Sequence, residues 1–152
     1  MVPSKHGVND GFYSQKIDIE NIRGFWPLVR PGIEKVLKKT SPSFIVEDVY
    51  NYLMQDIAWI IICFERSTKK YAGFVVVSRS NEDHFSTSSD MLLWLAYSEI
   101  QGAVESTLKR VEEMAKGMGF KCVIFHSSRK GWTRRAESLG FKIRERVYSK
   151  AL

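Results

Sequence analysis

Two side chains stand where protons can be moved. Glu99 lies at the end of a predicted strand that begins at Met91, and His126 at the end of one that begins at Cys122. In open α/β sheets the C-terminal ends of strands border the crevice where ligands bind. A carboxylate or an imidazole there can serve as a general base, and imidazole titrates near neutral pH. The same residues fit simpler roles, Glu99 as a solvated turn carboxylate and His126 as a structural histidine. A third group is cationic: Arg129, Lys130, Arg134 and Arg135 surround a short predicted helix near the C-terminus. They can contact phosphates or form a docking face for another macromolecule.

Other chemistries lack their residues. No Gly-x-x-x-x-Gly-Lys loop occurs, and no Cys/His spacing suits zinc. His6, His84 and His126 fall in a tail, a loop and a strand end. No nucleophile elbow, helix-turn-helix or aromatic-rich RNA-binding signature is present, so nucleic acid rests on charge alone. That charge is uneven. The chain is +6 overall, but residues 116–152 carry ten Lys/Arg against two acids, which leaves the remainder at −2. The excess suits a polyanion, whether coenzyme, nucleic acid or an acidic protein surface, or else forms a solvated basic face.

The elements that must position these groups follow from pattern. At 152 residues, 44% hydrophobic and 12% aromatic, the chain can bury one core. We read residues 1–10 as a tail and 11–152 as one domain. The longest apolar run, residues 57–64, is far short of a membrane span. No apolar signal region precedes it, so a cytoplasmic protein without a membrane is expected. Cys63 and Cys122 both lie in apolar runs, which predicts buried thiols in a reducing compartment.

Residues 11–19 alternate as a first strand. Asp18 or Asn21 can cap a helix that Pro27 and Pro31 force to restart or kink, with a helical stretch over 31–39. A second amphipathic helix follows on Val46, Val49, Tyr50, Leu53 and Met54. Residues 57–65, 71–78 and 91–97 read as three strands, with a polar loop over 81–90. The strongest helical stripe is Val104, Leu108, Val111, Ala115 and Met118, stopped by Gly119. A strand over 122–126, a short helix over 133–138 and a final strand over 141–148 complete the order. Lys142, Arg144 and Arg146 share one face of that last strand. The economical solution is an α/β fold: a mixed, mostly antiparallel twisted sheet with helices on both faces.

This succession, and above all the stretch over 91–141 with its endings Met118-Gly119-Phe120 and Leu139-Gly140-Phe141, resembles the GNAT family of N-acetyltransferases. Trp26-Pro27-Leu28 and Arg129-Lys130-Gly131-Trp132 are similar to segments of phage-encoded GNAT-like proteins, although Trp132 as a core anchor and Gly131 as a turn former are the simpler reading of the latter. The resemblance implies transfer of an acetyl group from acetyl-CoA to an unidentified amine. It places the coenzyme between the strand before the long helix and the next one, with its pyrophosphate on amides at the helix N-terminus. Here that turn is Glu99-Ile100-Gln101-Gly102-Ala103-Val104, of which only Gly102 matches the family pattern directly; a shifted register places Gln101, Gly102 and Ala103 better, but none restores the full pattern, so the coenzyme site is a degenerate one. Arg129, Lys130 and Arg134 become candidate phosphate contacts. The family's acid, a tyrosine of the last helix, corresponds to Ala136, and Tyr148 is a remote substitute. A second expectation follows: a non-catalytic virion or assembly component that acts through protein contacts in the host cytoplasm or virion.

Overall fold

The computed structural model describes residues 11–80, 90–127 and 131–152. Its elements are β1 (Phe12–Lys16), α1 (Ile19–Thr40), α2 (Val46–Met54), β2 (Ala58–Glu65), β3 (Tyr71–Arg79), β4 (Asp90–Ser98), α3 (Ala103–Gly117), β5 (Cys122–Ile124) and α4 (Trp132–Ser138). The sheet order is β1-β2-β3-β4-β5. The first four strands pair antiparallel, and β5 joins β4 in parallel after the α3 crossover. The mixed, mostly antiparallel sheet is therefore as expected.

β2 and β3 are apolar at nearly every position because both sheet faces are covered. Ile60, Ile62, Phe74 and Val76 point one way, into a core shared with Ile22, Val29 and Ile33 of α1 and Val49 and Leu53 of α2. Ile61, Val75 and Val77 point the other way, against Val111, Met114 and Ala115 of α3. Period-two alternation thus assigns each residue to one of two helical layers. The buried face of α3 includes Thr107, Leu108, Val111, Met114 and Ala115, whereas Met118 is exposed and stands off the predicted stripe.

Four expectations need correction. α1 is one uninterrupted helix, so the prolines do not restart it. Both lie on its exposed side, four residues apart, where the carbonyls they orphan can meet water. The burial of Ile22, Val29 and Ile33 holds the helix against the sheet. Cys122 is exposed, because β5 is the edge strand, while Cys63 is buried as predicted. β5 ends at Ile124, short of His126. Residues 141–148 form no strand. The Phe141 amide instead donates to the Ala136 carbonyl and closes α4, and Arg144 is drawn to the Asp90 carboxylate at 2.7 Å. An alternating pattern becomes a strand only where another strand lies alongside to complete the ladder.

Two aromatic contacts explain the short motifs. Trp26 packs edge-on against Tyr50 at 4.9 Å, joining α1 to α2. Trp132 packs against Phe125, which also meets Phe141 at 5.0 Å, so Trp132 anchors α4 to the end of β5.

Candidate active site

β4 and β5 pair at only three positions, Asp90↔Cys122, Met91↔Val123 and Leu92↔Ile124. β5 stops there, but β4 continues for six more residues to Ser98. The β4 edge over residues 93–98 therefore has no strand beside it among the described residues. Unpaired backbone N–H and C=O groups on such an edge are available to an extended ligand. The divergence begins at a bulge. The β3–β4 register passes from Val76↔Leu95 to Val77↔Leu93 and leaves Trp94 as the extra residue. A bulge bends its strand and frees its amide from the ladder, just where β4 leaves β5.

The turn from β4 into α3 closes one end of this opening. Gly102 adopts φ +93°, a left-handed conformation that glycine enters without steric cost. Ala103 is fully buried against Cys63 and Ala72, and its amide donates to the Ile100 carbonyl. The Ser106 amide donates to the Gly102 carbonyl. By position, the Val104 and Glu105 amides have no intrahelical acceptor and can hold an anion. Gln101 is exposed in the same turn. Glu105 already places a carboxylate in the first turn, and Arg135 of α4 forms an ion pair with it. Arg135 also stacks on Trp132, so the short helix is held to the N-terminus of α3. Arg134 is exposed on the same helix. Arg129 and Lys130 lie outside the described residues.

Glu99 is brought into a polar group that pattern reading did not anticipate. The Tyr97 hydroxyl donates to Glu99 Oε1 at 3.3 Å, and Lys35 Nζ of α1 donates to the Tyr97 hydroxyl at 3.3 Å. The Lys35 ammonium also stands 5.7 Å from the Tyr97 ring centroid. Two glycines admit the ring and its backbone: a Cβ on Gly32 would lie 2.6 Å from Tyr97 Cδ2, and one on Gly73 would lie 2.3 Å from the Tyr97 carbonyl oxygen. Tyr97, near the end of β4, and Glu99, just past it, are two residues apart, a relation visible in sequence. Their meeting with Lys35, more than sixty residues away, is not. His126 is exposed two residues past β5, whereas Glu99 follows the far end of the β4 overhang. The register sets the two candidate bases at different heights rather than side by side. Tyr148 is 86% exposed on the C-terminal segment.

Tyr71, at the start of β3, completes this corner. Its hydroxyl is buried with no hydrogen-bond partner among the described residues. Burial foremost, then the negative charge of Glu99 and the neighbouring Tyr97, raises its pKa above the usual tyrosine value. A folded-state pKa raised above the unfolded one gives stability that is complete below pH 10 and is lost as pH rises through the folded value. An unsatisfied buried hydroxyl itself costs about 1–3 kcal/mol. Tyr71→Phe is therefore expected to raise the Tm at pH 7 and to flatten the alkaline decline. Thermal melts across pH 7–11 check both effects.

No protein-family model matches the sequence, and no curated protein is similar to it in sequence. Solved structures do match in fold. An aminoglycoside acetyltransferase from an uncultured soil metagenomic sample, in complex with sisomicin, aligns at TM-score 0.67 and 15% identity, covering 95% of this chain and 97% of its own. AAC(6')-Iy, in complex with the bisubstrate analogue CoA-S-monomethyl-acetylneamine, aligns at 0.66 and 15% identity, covering 93% and 99%. A predicted acetyltransferase with acetyl-CoA from Clostridium acetobutylicum aligns at 0.66 and 14% identity, covering 92% and 96%. At these identities the likeness is one of fold: the chain has the GNAT acetyltransferase architecture.

Proposed function

We propose that the protein is an acyl-CoA-dependent N-acyltransferase that moves an acetyl group to an amine. The observation that carries this reading is the open edge of β4 beyond Leu92, closed at one end by the Gly102 turn and the N-terminus of α3. The donor set suits a thioester with a phosphorylated tail. Val104 and Glu105 amides, Gln101 and Arg134 can hold the phosphates, with Arg129 and Lys130 as further candidates. The Glu105 carboxylate is neutralised by Arg135, so it does not repel them. Acetyl-CoA, when bound, supplies an activated acyl carbon with a thiol leaving group.

The chain's own residues then do the following. The exposed Glu99 carboxylate accepts a proton from the acceptor ammonium, directly or through Tyr97. Backbone amides freed at the Trp94 bulge can hold the oxygen on which charge develops. Glu99 is preferred to His126 as base because it ends the Lys35–Tyr97–Glu99 hydrogen-bond chain beside the overhanging part of β4, whereas His126 lies two residues past the end of β5. With alanine at position 136, the leaving sulfur takes its proton from the attacking nitrogen or from water. The bound forms of the fold neighbours, acetyl-CoA in one and the bisubstrate analogue CoA-S-monomethyl-acetylneamine in another, support this choice of substrates.

The test is calorimetric titration of acetyl-CoA with a parallel thermal melt. Saturable heat is expected, and ligand at about a hundred times its Kd should stabilise the fold by roughly 2.7 kcal/mol. For a chain of this size that is a Tm rise of roughly 5–10 °C. A flat titration and an unmoved Tm at millimolar ligand overturn the proposal. They favour instead a non-catalytic module, a phage virion or assembly component, that uses its basic C-terminal quarter and the exposed Ile143, Val147 and Tyr148 for protein contacts.

A further inference from the structure

We infer, resting on the acyl-transfer reading above, that Lys35 is a self-acylation site, its ε-amine delivered to the open β4 edge through the Lys35–Tyr97–Glu99 hydrogen-bond chain. The direction of the chain is the one a proton would follow. Lys35 Nζ donates to the Tyr97 hydroxyl at 3.3 Å, and that hydroxyl donates to Glu99 Oε1 at 3.3 Å. A proton leaving the ammonium can pass to the phenolic oxygen while the phenol gives its own to the carboxylate. The freed amine nitrogen then forms a bond to the acyl carbon, and the bond from that carbon to the leaving sulfur breaks. The second proton lost by the nitrogen goes to the sulfur, and the first leaves Glu99 for solvent. The products are an amide on Lys35 and a free thiol.

Placement favours this lysine over its neighbours. Lys35 and Gly32 are three residues apart on α1, and the missing side chain of Gly32 lets the Tyr97 ring lie against the helix beneath Lys35. Tyr97 belongs to the part of β4 that overhangs β5, and its hydroxyl joins the Lys35 ammonium to Glu99 just beyond the end of that strand. Lys38 and Lys39 are exposed on the last turn of the same helix and have no such carboxylate relay among the described contacts. Acylation removes the positive charge that Lys35 places beside the Tyr97–Glu99 pair.

Two acyl donors test the inference. The intact protein is incubated with acetyl-CoA and, separately, with p-nitrophenyl acetate, an ester that needs no coenzyme site. Acetylated lysines are then mapped by peptide mass spectrometry against time. With both donors, Lys35 is expected to react at least about a hundredfold faster than Lys38 or Lys39, and Tyr97→Phe or Glu99→Gln to bring it down to their rate, a loss at the low end of general-base assistance. Melts of these variants establish that they fold. Lys35→Arg should remove the labelled peptide and nothing else. Equal labelling of the three lysines by the ester, or preferential Lys35 labelling that survives Glu99→Gln, overturns the inference whatever the coenzyme does. Acetyl-CoA that binds and acetylates a free amine but leaves Lys35 unmodified overturns it while the proposed function stands. Absence of acetyl-CoA binding overturns the proposed function, and the ester mapping then decides Lys35 alone.

Discussion

Glu99→Gln is expected to lower acetyl transfer by about 10²–10⁴-fold, the usual contribution of a positioned base. The amide keeps the size of the side chain and can still accept from the Tyr97 hydroxyl, but it cannot take a proton. Glu99 is exposed, so nothing in the core changes with it. The melt of the variant should therefore match the parent, and the loss should fall on kcat rather than on acetyl-CoA affinity. Affinity measured calorimetrically separates the two. Transfer that survives at the parental rate removes Glu99 as base. Lost acetyl-CoA binding assigns it to the phosphate turn instead.

Gly73→Ala is expected to have the largest effect on stability. Its new Cβ would lie 2.3 Å from the Tyr97 carbonyl oxygen and 3.1 Å from Ser98 Cα, both backbone atoms of the neighbouring strand. No side chain can rotate to relieve that contact, so β3 and β4 must move apart at the Gly73↔Ser98 pair. Forced overpacking of this kind typically costs about 1–3 kcal/mol, here expected near the upper end. At roughly 2–4 °C per kcal/mol this lowers the Tm by about 5–12 °C. Because Tyr97 carries the contact, the Lys35–Tyr97–Glu99 chain should loosen as well. Gly24→Ala is the control. It lies in α1 with nothing within 4 Å of the new Cβ, and should stabilise by about 0.5–1 kcal/mol through helix propensity. Equal melts for the two variants would contradict the close approach at Gly73.

Much of the architecture was legible because it rests on period. The 3.6-residue stripe marked α3 within a residue at both ends, and the apolar runs marked β2, β3 and β4. β4 and β5 pair in parallel because the α3 crossover joins them, a connection that an antiparallel hairpin does not need. What failed did so for local physical reasons. The prolines of α1 were read as forcing a restart or a kink; the restart does not occur, because propensity counts a lost hydrogen bond without asking which face loses it. Residues 141–148 have a strand's alternation, but Arg144 is bound to Asp90 and no ladder forms.

The site divides in the same way. Glu99, Gly102 and the α3 N-terminus could be placed from the strand end, the glycine and the helix start, all local signals. The opening itself could not, because it depends on where β5 stops relative to β4, and the register of two strands joined by a helix is set by packing. The bulge at Trp94, the Glu105–Arg135 pair and the approach of Lys35 to Tyr97 likewise join residues far apart in the chain. Sequence alone determined which segments are helix or strand and which residues carry charge, since those properties are written at short range. Only the tertiary structure decided which charged and phenolic groups meet at the β4 edge, because burial of the two apolar layers, not local pattern, brings α1, β3 and β4 together there.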